Sequence, residues 1–268
     1  MTRFLIVPQW QGSPSARAML LTDGAAAIAG DLPRRDTTML DVPLEAGDSL
    51  GTGIRRLSAL LRTRELVTER IADASEPTVV VGGDCSVSVF ALSAIDTSEL
   101  AVLWCDAHPD LNDASTSPSG AFAGMALRAV MGEGEPQLAL SPGVPAERIV
   151  LLGSRSIDDT ERDALERVSV LSSDSLADVG AVAAAVRATG ASRVWVHIDV
   201  DVLDPAEFEG VSEASPFGVS ATDLAAALRR LREEVPLAGA TIAGFAPRSP
   251  ADAVLDLGAI LRLIGAVA

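Results

Sequence analysis

Nearly uninterrupted apolar runs of β-type residues recur along this chain, separated by helical stretches rich in Ala, Leu and Arg. The runs cover 3–7, 78–81, 100–105, 148–152, 193–198 and 240–245. A strand with one face in water alternates polar and apolar side chains, whereas a strand covered on both faces has no need to. These runs therefore predict a central sheet between two helical layers. Their alternation with helices makes the sheet mostly parallel, because parallel neighbours are joined by right-handed crossovers. Helices are expected over 15–29, 48–74, 87–95, 122–131, 158–166, 175–189, 222–234 and 251–265, with Ser13 and Thr222 as N-caps. The fold class is α/β, a three-layer α/β/α sandwich. The 268 residues show no internal repeat, low-complexity tract or linker, so one domain over 1–268 is the simplest organisation.

Two of the runs end in clusters of metal-binding side chains. The first is followed by Asp106-Ala-His108-Pro-Asp110. The second contains His197-Ile-Asp199-Val-Asp201-Val-Leu-Asp204-Pro205. Side chains two apart on a strand share a face, which pairs Asp106 with His108 and Asp199 with Asp201. Both clusters lead into polar loops, 112–120 and 206–218, at the carboxyl edge of the sheet, where folds of this kind bind ligands. Hard oxygen donors with a single imidazole favour Mn²⁺ among common metals, with Mg²⁺ an alternative. Carboxylates around two dications would let an aspartate bridge them at about 3.5–4 Å and activate a water. Either segment alone reads equally as a turn or cap. Together, each after a buried strand, they predict a metal centre. His197 shares parity with Asp199 but lies about 6.6 Å deeper along the strand. It reads as a side chain supporting the ligands from behind, or as a core histidine.

The charge balance narrows the partners. A net charge of −16 offers no basic footprint for nucleic acid. No apolar run approaches the ~18 residues that would cross a membrane. The N-terminal segment reads as a first strand rather than a signal peptide, so a cytoplasmic protein is expected. The two cysteines, Cys85 and Cys105, do not form a disulfide scaffold of the secreted type. Cys105 precedes Asp106 and points to the opposite face, into the core. Cys85, in Gly82-Gly83-Asp84-Cys85-Ser86, reads as a small core residue or as a ligand. Asp84, after two glycines, reads as a turn residue.

At this point the chain resembles the ureohydrolases, the arginases, agmatinases and relatives that hydrolyse guanidino groups with two Mn²⁺ ions. Their signatures are Gly-Gly-Asp-His-Ser, Asp-Ala-His-x-Asp and Ser-x-Asp-x-Asp-x-x-Asp-Pro. All three have counterparts here, in order, from Gly82 to Pro205. The resemblance implies an arginase-like fold and two Mn²⁺ per chain. One ion would be held by Cys85, Asp106, Asp110 and Asp199, the other by Asp106, His108, Asp199 and Asp201. It also implies that Asn112, Ser119 and Asp158, with Glu161 nearby, bind the substrate's α-carboxylate and α-amino groups. That set favours an amino-acid substrate over agmatine.

The departures from the family pattern bear on substrate. The first histidine ligand is Cys85, the serine opening the last motif is His197, the proton-shuttling histidine is Ala123, and the guanidinium-binding glutamate is Gly244. A thiolate weakens Lewis acidity at the metal pair. Without the shuttle, the leaving amine loses a general acid. Without the glutamate, a permanently charged guanidinium loses its partner. All three changes disfavour arginine and favour a less basic N-hydroxyguanidine. The combination is similar to the Nω-hydroxy-L-arginine amidinohydrolases of D-cycloserine biosynthesis, which release hydroxyurea and L-ornithine. Asp110 and His197 are then the catalytic candidates, Asp110 as a ligand that also accepts the water's proton and His197 in support from behind. Glu209 or Glu213 would stand in for the missing carboxylate, or would simply be solvated loop charges. An arginase or other guanidino-acid hydrolase, and a non-catalytic metal-binding paralogue, are the rival readings. Trimeric arginases continue past their last helix into a tail, whereas this sequence stops at Ala268, which favours a monomer.

Overall fold

The computed structural model describes residues 2–72 and 76–268. Among the described residues, eight strands form a single sheet. They are β1 (Arg3–Ile6), β2 (Thr37–Met39), β3 (Thr78–Val81), β4 (Leu100–Cys105), β5 (Ile149–Leu152), β6 (Ser169–Leu171), β7 (Arg193–Asp199) and β8 (Leu237–Ala243). Their spatial order is β2-β1-β3-β8-β7-β4-β5-β6, and each neighbouring pair is parallel. The expected mostly parallel sheet is thus parallel throughout.

The helices cover both faces. On one side α1 (Leu20–Gly30), α6 (Ala181–Ala188), α7 (Ala221–Glu234) and α8 (Pro250–Val267) pack onto Phe4, Val79, Leu103, Val196 and Ile242. On the other, α2 (Leu57–Ala72), α3 (Ser86–Leu92), α4 (Ala126–Val130) and α5 (Arg162–Leu165) pack onto Leu5, Val80, Val102 and Leu151. Successive strand residues thus serve opposite cores, which is why the strands carry no polar face. Cys105 falls in the first core and Cys85 in the second.

Helix ends depart from expectation. Thr222 lies inside α7, whose N-cap is Ser220, accepting from the Asp223 amide. Ser13 caps no helix, and α1 begins only at Leu20. Residues 48–56 form turns rather than the first turns of α2, with Leu50 and Arg56 at positive φ. The predicted end of that helix at 73–74 lies outside the described residues. Among the described residues no helix is long and apolar enough to cross a membrane.

Candidate metal centre

The four central strands, β3, β8, β7 and β4, end side by side, and their carboxyl ends deliver the acidic clusters to one place. Asp106 follows β4, Asp199 ends β7, Gly244 follows β8, and Cys85 follows the Gly82-Gly83 turn after β3. Together they line a cavity of about 310 Å³.

Backbone amides aim the carboxylates. Asp106 Oδ1 accepts from the His108 amide at 2.7 Å, Asp201 Oδ1 from Ala107 at 3.0 Å, and Asp199 Oδ1 from Asp201 at 2.9 Å. Each carboxylate so anchored turns its other oxygen inward. Asp201 Oδ2 lies 2.9 Å from His108 Nδ1. Cys85 Sγ lies 3.2 Å from Asp199 Oδ2 and 3.6 Å from Asp106 Oδ2. Asp110 sits at φ 55°, and its Oδ2 is buried with no hydrogen-bond partner.

This packing is electrostatically strained by the protein groups alone. Burial, then the neighbouring Asp201 and Asp106 charges, lift Asp199 well above the usual carboxylate range. Burial and Asp106 do the same to Asp110, and push Asp201 up to about 6. Burial also raises Asp106, but the His108 and His197 rings beside it outweigh that and hold the carboxyl low. Burial disfavours charge on His108, yet Asp106 and Asp201 drive its pKa up to about 12. Burial followed by Asp110, Asp199 and Asp106 pushes the Cys85 thiol well above its usual value. Four carboxylates and a thiol thus crowd around one ionisable imidazole. The orphaned Asp110 oxygen and the excess of anionic donors fit divalent cations, whose charge the protein does not itself supply. Asp106, His108 and Asp201 each offer a ligand atom within 4.8 Å of the others.

The remaining predicted residues divide. Asn112, Ser119 and Asp158 line the cavity mouth, with Asn112 Nδ2 donating to Asp158 Oδ2 at 2.9 Å. Glu161 borders it too, but both its oxygens are taken, by the Leu111 amide at 2.8 Å and the Asp158 amide at 3.0 Å. It therefore positions Asp158 rather than facing a substrate. His197 does not border the cavity. It is fully buried behind Asp106, 3.8 Å from that carboxylate. Glu213 lines the cavity and Glu209 does not. Asp84 is a turn residue, held by Gln9 Nε2 at 2.8 Å and by the Ser86 amide. Asp204 accepts from the Ala206 and Gly218 amides and holds the following loop.

Sequence reasoning passed over Arg155. Its guanidinium donates to the carbonyls of Asp201, Ser215 and Pro216, pinning the 203–218 loop beside the acidic cluster. Its only signal was a lone arginine in Gly153-Ser-Arg-Ser, close to the predicted cavity.

Gly244 is the most constrained position. Its φ is +83°, and a Cβ there would lie 2.0 Å from Asp199 Oδ1. Ala123, buried at the cavity wall, offers no polar atom beyond its backbone.

Buried carboxylates beside a cavity at the carboxyl edge of a parallel sheet describe an α/β protein with a candidate divalent-cation site. The chain belongs to the arginase family, whose model matches residues 20–259. It is 29% identical to the arginase of Bacillus caldovelox over 220 residues, 76% of this chain and 72% of that protein. It is 32% identical to the N(omega)-hydroxy-L-arginine amidinohydrolase of Streptomyces lavendulae over 203 residues, 73% of this chain and 72% of that one. The crystal structure of Bacillus cereus arginase superposes with a TM-score of 0.82 at 25% identity, covering 98% of each chain.

The two cysteines lie on opposite faces of the sheet, so they separate a ligand from a core residue. Cys85→Ser is expected to weaken metal retention about 10–100-fold. Cys105→Ser should leave metal content unchanged and cost only packing. Elemental analysis after dialysis measures both, and unaltered metal content in the Cys85 variant would refute the ligand role.

Proposed function

We propose that this chain is a binuclear-manganese amidinohydrolase that cleaves Nω-hydroxy-L-arginine to L-ornithine and hydroxyurea. Gly244 carries the reading. Where the family resemblance expects a guanidinium-binding glutamate, the Asp199 carboxylate fills the space any side chain would need. Arginine's guanidinium is charged at every working pH and calls for such a partner. An Nω-hydroxyl lowers that basicity and brings an ionisable proton of its own, which also suits a site with Ala123 in place of a proton shuttle. Likeness to the S. lavendulae amidinohydrolase supports the same substrate.

Cys85, Asp106, Asp110 and Asp199 would hold one cation, and Asp106, His108, Asp199 and Asp201 the other. Oxygen donors with imidazole favour Mn²⁺. When bound, two dications supply Lewis acidity and bring the pKa of water close to neutral. The chain's own groups do the rest. Asp110, whose buried Oδ2 is free of other partners, accepts the proton that water releases. Asn112 and Ser119 meet the substrate's α-carboxylate, and Asp158, fixed by Asn112 and Glu161, its α-amino group. Arg155 holds the 203–218 segment beside the acidic cluster. The reading also assigns the enzyme to antibiotic biosynthesis of the D-cycloserine type, as a source of hydroxyurea. Loss of antibiotic on gene deletion, restored by added hydroxyurea, tests that role.

Product identification with Mn²⁺-loaded protein tests the chemistry. Nω-hydroxy-L-arginine is expected to yield hydroxyurea and ornithine, with arginine about 10–100-fold slower in kcat/KM, the loss of roughly one charge-assisted partner. Equal rates would overturn the substrate assignment. Absence of urea and hydroxyurea from every guanidino acid tried would overturn the hydrolase.

A further inference from the structure

We infer that His197 is a metal ligand, its Nε2 supplying the nitrogen that the cysteine at position 85 does not. The inference rests on the two-cation reading above and deepens it. His197 stands on β7 next to Trp104 of β4, and the two rings stack with centroids 3.7 Å apart. Its ring is wholly buried. Nδ1 lies 2.7 Å from Ser88 Oγ. When Nδ1–H donates to that oxygen, Nε2 is left as a bare lone pair. Metal-bound imidazoles are held in this way, with the far nitrogen fixed by a hydrogen bond that sets tautomer and ring orientation.

Nε2 itself is buried without a hydrogen-bond partner among the described residues. A buried polar nitrogen in a native core ordinarily has one. Asp106 Oδ2 is 3.8 Å away, too far for a hydrogen bond. Cys85 Sγ, an Asp106 oxygen and His197 Nε2 all lie within 4.8 Å of one another. Donors to a common ion sit about 2.0–2.3 Å from it, so the separations among these three suit an ion between them better than direct contact.

The substitution pattern gives the same answer independently. The family resemblance expects histidine at 85 and serine at 197, and this chain carries cysteine at 85 and histidine at 197. Cys85 stands at the start of α3, and the His197 imidazole approaches it from β7, their ligand atoms within 4.8 Å of each other. Ser88, three residues after Cys85 and one helical turn along α3, holds the ring. Sulfur and nitrogen thus reach the same cation from two elements.

The chain contains only two histidines, His108 and His197, so its ring signals are simple to assign. Full-length protein labelled with ¹⁵N-histidine is stripped of metal and titrated with Zn²⁺, a diamagnetic probe, and ion uptake is counted by elemental analysis. Both rings are expected to change their nitrogen shifts on loading, with Nε2 of His197 the atom that moves most in that ring. His197→Gln, checked for an intact fold by circular dichroism, identifies the signals and should weaken retention of one ion about 10–100-fold, leaving the other in place. The labelled wild-type spectrum decides the matter even where that variant does not fold. Two bound ions with the His197 ring unmoved would overturn this inference alone. Failure to take up any ion would overturn it together with the two-cation reading.

Discussion

Gly244→Ala is expected to lower kcat/KM by at least about 100-fold and to reduce bound metal, although it adds a single methyl group. Two independent costs meet at this residue. The backbone lies at φ +83°, where a non-glycine side chain is strained by about 1–3 kcal/mol. The new Cβ would also lie 2.0 Å from Asp199 Oδ1, so the carboxylate must swing away from the cluster it serves. Backbone relief is restricted, because the Gly244 amide donates to the Gly83 carbonyl at 3.0 Å and ties the end of β8 to the turn after β3. The same reasoning makes Gly244→Glu a failed conversion. Restoring the family's glutamate should not restore arginine hydrolysis, because the side chain enters only by displacing the Asp199 carboxylate. Steady-state kinetics on arginine and its Nω-hydroxy form, with metal analysis of each variant, measure both effects. A Gly244→Glu protein that releases urea from arginine would show that Asp199 has room to move without loss.

The contrast between Gly244 and the acidic clusters shows what a sequence of this kind discloses. Asp106, Asp199 and Asp201 were readable because strand parity and a buried apolar run fix where such side chains emerge. The central strands were readable for the same reason, since a parallel strand buried on both faces is a continuous apolar word. The edge strands β2 and β6 were not. Each has only three residues, and Thr37–Met39 and Ser169–Leu171 are half-exposed or exposed, so no apolar run marks them. The beginning of α2 was overextended through 48–56, although Gly51 and Gly53 there disfavour a helix. What stayed hidden at the site were contacts between distant segments. Asp199 pressing on Gly244, Ser88 on the His197 ring and Arg155 on the carbonyls of the 203–218 loop all depend on which strand ends become neighbours. That β3, β8, β7 and β4 stand in this order is a property of the crossovers, and no single segment encodes it.

Stripping the metal with a chelator should reverse the sign of the protein's response to pH. Asp201 has a folded pKa pushed up to about 6, against about 3.9 for an unfolded aspartate, and Asp110 and Asp199 are raised as well. A raised carboxyl means that the folded state keeps protons the unfolded chain has released. The stripped protein therefore loses stability as pH rises from about 4, and the Asp201 contribution is fully lost only above about 6. His108 acts in the same direction at higher pH. Its folded pKa of about 12 gives stability that is complete below the unfolded value near 6.5 and declines above it. Asp106, held low, works the opposite way, but only below about pH 4. The Asp201 shift alone corresponds to on the order of 3 kcal/mol, or roughly 5–10 °C in Tm for a chain of this size. Divalent cations bind only the deprotonated carboxylates, so saturating Mn²⁺ should make Tm climb over the same interval. Thermal melts from pH 4 to 7, with chelator and with Mn²⁺, are expected to give slopes of opposite sign, and Asp201→Asn should flatten the chelated curve. A chelated protein whose Tm rises with pH would mean that these carboxylates do not crowd one another as the geometry requires.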